Sequence, residues 1–345
     1  MRGLEAAGVE PVAVNVEPPR LIRNAALNAV TLRYLRPGRD LKAIALRARA
    51  AAWASPAIAA VNSWAAPRGL RDAGRLDGIV QIGTGYSLAT DVPIATFEDM
   101  TIALTRGEAY AGWSDISERA FAARVERQRR NYERAAACCL TSRWAADSVI
   151  GDYGIDPAKV HVVGLGRNHT APAVDRDWST PRFLFVGVDW QRKNGAGVLR
   201  AFARLREELP AARLDLVGGH PPVDRPGVTG HGILASDDPA QRARLEQLFA
   251  EATCFVMPSF AEAVGIVYVE AAAAGLPSIG TIRGGADYLI GDGGIVVDPH
   301  DPDALLAAMR RLADPQTAAQ TGAAAKRRSE QFTWPEVGRR LLAAF

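Results

Sequence analysis

Two glutamates, Glu262 and Glu270, stand with seven residues between them in the stretch Pro258 to Gly280, PSFAEAVGIVYVEAAAAGLPSIG. A carboxylate accepts hydrogen bonds from hydroxyls. Gly265 and Ile266 lie between the acids, at the expected start of a helix. There a backbone without a Cβ and unpaired N–H groups suit a phosphate. Phosphate at a helix start and hydroxyls at the two acids describe a nucleotide sugar. Spacing alone favours a plainer alternative, an amphipathic helix with solvated glutamates. A second group is Arg192-Lys193, adjacent cations in the loop Gly187 to Gly195 before another expected helix. Two cations so placed suit a diphosphate, although exposed surface cations would look the same.

The elements that must position these groups read as strand–loop–helix units. Cys254 to Met257 is a short apolar run ended by Pro258, a strand entering a loop. The helix Ile266 to Ala274 ends at Gly275 with Pro277 beyond, and hands over to Ser278-Ile279-Gly280. The loop thus sits at the carboxyl end of its strand, where open α/β sheets bind ligands. Phe183 to Val186 is expected as a strand before the Arg192-Lys193 loop, with a helix from Ala196 to Leu209. Leu214 to Val217 is the next strand, ending in Gly218-Gly219, and Gly230 to Leu234 the one after. Gln241 to Ala250 and Pro302 to Leu312 read as helices, Arg283 to Ala286 as a loop near the acids, and Gly291 to Val297 as a turn and strand.

The first half is less regular. Leu4 to Gly8 reads as a helix end and Pro11 to Val16 as a strand. Leu21 to Ala60 is helical in composition, broken at Pro37-Gly38 and Pro56. Gly78 to Ile82 is a strand followed by Gly83-Thr84-Gly85. Leu88 fills the third position of a dinucleotide fingerprint and no helix clearly follows, so this is a tight loop and not an NAD site. Ile94 to Thr96 is a strand leading into Glu98-Asp99. These acids either face a ligand or cap a helix beginning near Met100. Ser117 to Ala137 is a long helix, Ala137 to Thr141 a strand, Thr141 or Ser142 an N-cap, Val160 to Val163 a strand, and Gly164 to Pro172 a connection.

With 345 residues the chain can hold two domains. An apolar content of 48% with a mean hydropathy of −0.04 fits a globular protein and no apolar run is long enough to span a bilayer. Met1 to Glu5 lacks a signal-peptide core, and Cys138, Cys139 and Cys254 form neither a CxxC pair nor a disulfide framework. A cytoplasmic protein is expected. The histidines have no metal-ligand spacing, so no metal is expected. Between Arg20 and Arg75 stand eleven Lys/Arg against only Asp40 and Asp72, and Arg124, Arg127, Arg129, Arg130 and Arg134 form a second basic cluster. A solvated surface explains this; so does a peripheral contact with an anionic membrane, at its inner face, or an anionic acceptor. No nucleic-acid signature accompanies the charge.

The string PSxxExxGxxxxEAxAxGxP resembles the donor-site signature of the GT4 glycosyltransferases, retaining enzymes of the GT-B fold. Glu262 and Glu270 match its two glutamates and Gly265 its glycine. The resemblance is strong from Phe183 to Pro299 and looser before. It implies an α/β protein of two Rossmann-like domains facing across a cleft, 1–168 for the acceptor and 169–330 for the donor. Residues 331–345 would be a terminal helix packing back on the first domain. It further implies a preceding strand and Gly-rich loop, which do not appear ahead of Pro11. It implies a metal-free hexosyltransferase, as in polysaccharide biosynthesis, that takes a UDP- or GDP-sugar and a hydroxyl acceptor. The alternative is a non-catalytic nucleotide-sugar-binding protein. By resemblance the donor groups are Gly187, Arg192, Lys193, Gly218, Ile233, Glu262, Gly265, Ile266 and Glu270. The acceptor-side groups are Gly83, Thr84, Glu98 and Asp99. Catalysis would fall to Glu262, Lys193, Arg192 and Asp99. Two departures stand out: Val188 occupies the position where the family carries an arginine, and Asp99 has no histidine beside it.

Overall fold

A computed structural model describes residues 2–35, 41–53, 55–106, 117–168 and 176–345. The chain divides into two units: Met1–Val163 with Gly338–Phe345, and Gly164–Val337. The division falls after Val163, where the sequence suggested 168.

In the first unit, α1 (Arg2–Ala6), α2 (Arg20–Thr31), α3 (Leu41–Trp53) and α4 (Pro56–Asp72) precede the sheet. Pro56, expected as a breaker, instead starts α4: Ser55 caps it by accepting from the Ile58 N–H at 3.3 Å, and a first-turn proline has no N–H to waste. Pro37-Gly38 lies outside the described residues. Pro11 to Val16 does not form a strand. None of the described strands offers it a ladder; it runs instead beside α4, where a Cβ on Gly69 would lie 2.5 Å from the Asn15 carbonyl oxygen.

Strands β1 (Ile79–Ile82) and β2 (Ile94–Glu98), helix α5 (Glu118–Arg134), β3 (Ala137–Leu140), α6 (Arg143–Gly151) and β4 (Val160–Val162) follow. The sheet is parallel, in the order β1-β2-β3-β4, and among the described residues no strand comes from before position 79. β2 runs through Glu98, and no α-helix begins near Met100; a single 3-10 turn covers Ala103–Thr105. Glu98 therefore does not cap a helix. Ser142, of the two expected caps, accepts from Ala145 N–H at 3.3 Å.

The second unit holds β5 (Arg182–Gly187), α7 (Gly195–Glu208), β6 (Arg213–Gly218), β7 (Val228–Gly230), α8 (Pro239–Glu251), β8 (Cys254–Val256), α9 (Ile266–Ala273), β9 (Ser278–Thr281), α10 (Ala286–Ile290), β10 (Gly294–Val297), α11 (Pro302–Ala313) and α12 (Pro315–Ser329). Helix α13 (Trp334–Ala343) runs from this unit into the first. There a Cβ on Gly338 would lie 2.1 Å from the Gly3 carbonyl oxygen, and Phe345 lies against Gly78. β7 comes earlier than the expected Gly230 to Leu234. Gly232 turns left-handed (φ +67°) and donates to the His220 ring at 2.9 Å, which takes the chain out of the ladder. Helix α12 had no counterpart in the sequence reading.

The six strands are parallel in the order β7-β6-β5-β8-β9-β10. Numbered from β5, that is the doubly wound order 3-2-1-4-5-6, whose winding reverses between β5 and β8. Phe183, Leu184 and Phe185 of β5 and Phe255 of β8 are buried, as central strands covered on both faces must be. The reversal leaves the loops after β5 and β8 side by side at the carboxyl edge of the sheet.

Candidate active site

The loop after β5 is set by short backbone bonds. Lys193 N–H donates to Asp189 at 3.0 Å and Gly195 N–H to Trp190 at 3.1 Å. Asn194 is left-handed (φ 58°), and its buried amide donates to the Pro299 carbonyl at 3.1 Å. The lysine stem crosses Gly187, where a Cβ would lie 2.9 Å from Lys193 Cγ. Gly218, after β6, meets the same loop; a Cβ there would lie 1.9 Å from the Gly187 carbonyl oxygen. Both glycines therefore serve the loop's shape.

The loop after β8 brings the acid to these cations. Lys193 Nζ donates to Glu262 Oε2. Arg192 Nη1 donates to the Ala261 carbonyl at 2.7 Å and stands 3.7 Å from Glu262 Oε2. Phe260 N–H donates to the Arg192 carbonyl at 2.8 Å, and Ser259 Oγ to Glu262 at 3.2 Å. Side-chain exposure is only 12% at Lys193 and 7% at Glu262. Burial pulls the lysine pKa down, against the raising pull of Glu262. Charges held this far from bulk water act strongly on whatever enters beside them.

Gly265 opens α9 at φ +78°, and a Cβ there would lie 2.7 Å from the Tyr268 ring. That ring is fixed by its hydroxyl, which donates to Met257 at 2.5 Å. The first N–H groups of α9, starting at Ile266, have no acceptor within the helix and leave it positive at this end. The Glu262 backbone is clamped by the expected loop near Arg283: Gly284 forms a bridge with it, at φ +99°.

Glu270 lies about one turn further along α9 and is half-buried. Its carboxylate accepts from the Asn168 N–H, and burial pushes its pKa up to about 7. It lines a cavity with Leu234, Ser236, Arg242, Leu245 and Phe249. Ile233, 62% exposed, precedes that lining. The arrangement offers cations and helix N–H groups for phosphate, then a carboxylate for hydroxyls beside a half-apolar hollow.

The acceptor-side residues gather in the first unit. Thr84 donates to Glu98 Oε1 through its N–H (2.9 Å) and its hydroxyl (2.6 Å); Tyr132 donates to Oε2 at 2.5 Å and Gln128 lies at 3.3 Å. Burial raises the Glu98 pKa, against the lowering pull of those bonds. Glu98 thus fastens the Gly83–Gly85 loop and has its acceptor sites occupied by the fold. Gly83 turns at φ +77°. Asp99 is exposed just past β2. Gln128, Asn131 and Tyr132 were missed from the sequence. Their signal was three polar positions at helical spacing among the arginines of α5.

Among the described residues no helix is long and apolar enough to cross a membrane, and no three His, Cys, Asp or Glu side chains gather as metal ligands would.

Residues 180–314 match the family model of glycosyl transferases group 1. The D-inositol 3-phosphate glycosyltransferase of Streptomyces avermitilis is 32% identical over 219 residues, which is 55% of this chain and 47% of that protein. The enzyme of the same name from Thermobifida fusca is 29% identical over 229 residues, 58% of this chain and 52% of the relative. The chain thus spans about half the length of the curated relatives it matches. The fold is shared with a UDP-forming α,α-trehalose-phosphate synthase from Burkholderia xenovorans (TM-score 0.64, 14% identity, 86% of this chain and 79% of that one). It is shared also with WaaG, a glycosyltransferase of lipopolysaccharide biosynthesis (TM-score 0.58, 17% identity, 83% and 81%). The fold is GT-B, and residues 180–314 resemble the group 1, GT4-like glycosyltransferases.

Proposed function

We propose that the chain is a retaining glycosyltransferase which moves a sugar from a nucleotide-sugar donor to a hydroxyl acceptor without a metal. The observation that carries this is the cluster at the winding reversal: Lys193, Arg192 and Glu262 packed against the Gly265 start of α9. In this reading Lys193, Arg192 and the first N–H groups of α9 stabilise the departing diphosphate as charge builds on it. Glu262 takes a hydroxyl of the donor sugar, and Glu270 those of the ribose. The acceptor oxygen bonds to the anomeric carbon on the face the phosphate leaves. The bond to the phosphate oxygen breaks, and that phosphate accepts the acceptor's proton. No protein nucleophile is then required. The relatives named above are transferases or a synthase, which weighs against a binding-only role.

The base is read as uracil or guanine, with uracil supported by the UDP-forming neighbour. The acceptor is a hydroxyl of a glycan, glycolipid or small molecule, and the relatives' name makes D-inositol 3-phosphate the first to try. A thermal-shift screen of nucleoside diphosphates and their sugars, followed by a transfer assay, tests the reading. One nucleotide at 100 times its Kd should stabilise by ~2.7 kcal/mol; a chain that binds none of them is not this enzyme. A peripheral contact with an anionic membrane is supported by Leu21, Ile22 and Leu32, exposed at α2 next to Arg20 and Arg33. Equal sedimentation with phosphatidylglycerol and phosphatidylcholine vesicles would count against it.

A further inference from the structure

His220 has no part in the donor chemistry described so far. It follows Gly218 and Gly219 in the loop after β6 and is half-buried. Both nitrogens of its ring are engaged. Gly232 N–H donates to Nε2 at 2.9 Å, and Nδ1 lies 2.8 Å from the Pro221 carbonyl oxygen. A ring nitrogen that accepts from a backbone N–H carries no proton, and a carbonyl oxygen can only accept. The ring proton therefore sits on Nδ1, and the hydrogen bonds on its two sides select a single tautomer.

Three loops meet at this ring. The β6 loop lies directly on the β5 loop: Gly219 N–H donates to the Gly187 carbonyl at 3.2 Å, and a Cβ on Gly219 would lie 2.1 Å from the Val188 carbonyl oxygen. Trp190 of the β5 loop packs edge-on against the imidazole, with ring centres 6.4 Å apart. Trp190 is itself seated on the start of α7, where a Cβ on Gly195 would lie 2.2 Å from its ring. The imidazole also covers the end of β7; a Cβ on Gly230 would lie 2.5 Å from it. Gly232 then turns. Its carbonyl accepts from Gly218 N–H at 2.7 Å, while its own N–H goes to His220. Three residues on, Ala235 N–H donates to Gln241 Oε1 at 2.8 Å. These two ties bracket Ile233 and Leu234. Leu234 and Ala235 line the cavity that Glu270 and Phe249 share.

We propose that His220, as its Nδ1–H tautomer, is a positioning residue for the nucleoside half of the donor site: its Nε2 sets the Gly232 turn, and with it the Leu234–Ala235 wall of the Glu270 cavity. This deepens the proposed function and rests on it for the word donor. The diphosphate groups do not depend on the ring. Lys193 and Arg192 are held by their own bonds to Glu262 and to the Ala261 carbonyl, and Trp190 by its seat on Gly195. Loss of the Nε2 acceptor should therefore cost affinity for a nucleoside and spare affinity for a diphosphate alone.

In long-range proton–nitrogen correlation spectra of histidine-labelled wild-type protein, the His220 ring should show a protonated Nδ1 and a bare Nε2; a proton on Nε2 overturns the proposal. Calorimetry then compares UDP, GDP and inorganic pyrophosphate on the wild type, His220→Phe and His220→Gln. His220→Phe keeps a ring against Trp190 and offers Gly232 no acceptor. The tighter of the two nucleotides should lose about tenfold in affinity there, and pyrophosphate should hold. His220→Gln places an amide oxygen near the position of Nε2 and should recover most of the loss. Hydrogen exchange at the Gly232 amide should quicken in His220→Phe and slow again in His220→Gln. Equal nucleotide affinity in the wild type and His220→Phe overturns the positioning role. So does an equal loss for nucleotide and pyrophosphate, or His220→Gln as weak as His220→Phe, because either means that the ring only supports the fold. Faster Gly232 exchange in His220→Phe, with a wild type that binds no nucleotide, would keep the His220–Gly232 latch and sink the donor-site reading.

Discussion

Replacing Glu270 with glutamine should make the protein more stable and worse at binding nucleotide. The carboxyl sits at about 7 against an ordinary 4.5, because burial disfavours its charged form. The folded chain then holds a proton here that the unfolded chain has released, at any pH between those two values. The stability tied to that proton is full below about 4.5 and is lost as pH rises through 7. The shift corresponds to at most about 3 kcal/mol, and partial exposure of the group reduces it to about 1–2 kcal/mol. Glu270→Gln removes the cost of holding a buried charge. At pH 8 the variant should melt roughly 2–8 °C higher than the wild type, and at pH 4.5 the two should coincide. Nucleotide binding should move the other way. A ribose hydroxyl bonds more strongly to a carboxylate than to an amide oxygen, so UDP affinity at pH 8 should fall about 10- to 100-fold. Wild-type affinity should rise with pH through about 7, and the variant's should be flat there. Thermal melts and calorimetry at pH 5, 7 and 8 read all of this. If UDP affinity is the same in both proteins and depends equally on pH, Glu270 does not touch the ribose and the reasoning fails.

The two cations of the β5 loop should not be equivalent. Lys193→Ala should lower kcat/KM for transfer by about 10²–10³-fold, the range for losing one charge-stabilising donor, measured on the donor that the screen finds; wild-type turnover in that variant would remove Lys193 from the mechanism. Arg192→Ala should cost at least as much, and Arg192→Lys should recover little of it. Full rescue by lysine would mean that only the charge of Arg192 matters.

What could be read from the sequence follows from how local each feature is. Strands β5 and β6 and helices α9 and α11 came out within a few residues, because a central parallel strand is a continuous apolar run and Gly or Pro marks its exit. Glu262 and Glu270 stood out only because the whole string around them resembles a donor-site signature; their spacing alone favoured solvated glutamates. The clamp of Gly284 on the Glu262 backbone was not legible, since it joins loops that meet only when the sheet forms. Pro11 to Val16 shows the opposite failure. Alternating Val12, Val14 and Val16 fit a strand, but a strand exists only where a neighbour supplies the ladder, and none of the described strands does. Glu98 likewise read as an acid that faces a ligand or caps a helix; its fate was decided by Thr84 and by Gln128 and Tyr132, 30 and more positions away.

Arg192 shows why a missing family residue need not mean a missing function, or the same function moved by four positions. Val188, in the position that resembles the family's arginine, is 70% exposed. Arg192 does not reach round to replace it as a solvent-facing fork. Its side chain turns to the β8 loop, one nitrogen on the Ala261 carbonyl at 2.7 Å and within 3.7 Å of Glu262, while its own carbonyl accepts from Phe260. It is therefore the joint between the two loops that the winding reversal places together. Its charge adds to the field at Glu262 and Lys193, and its geometry fixes where those two stand. Removing the side chain takes away a donor and frees the Ala261 carbonyl in a site with little water, and an orphaned buried acceptor costs about 1–3 kcal/mol by itself. That is why a lysine, with charge but no planar fork, is expected to fail at this position although a lysine succeeds at the next.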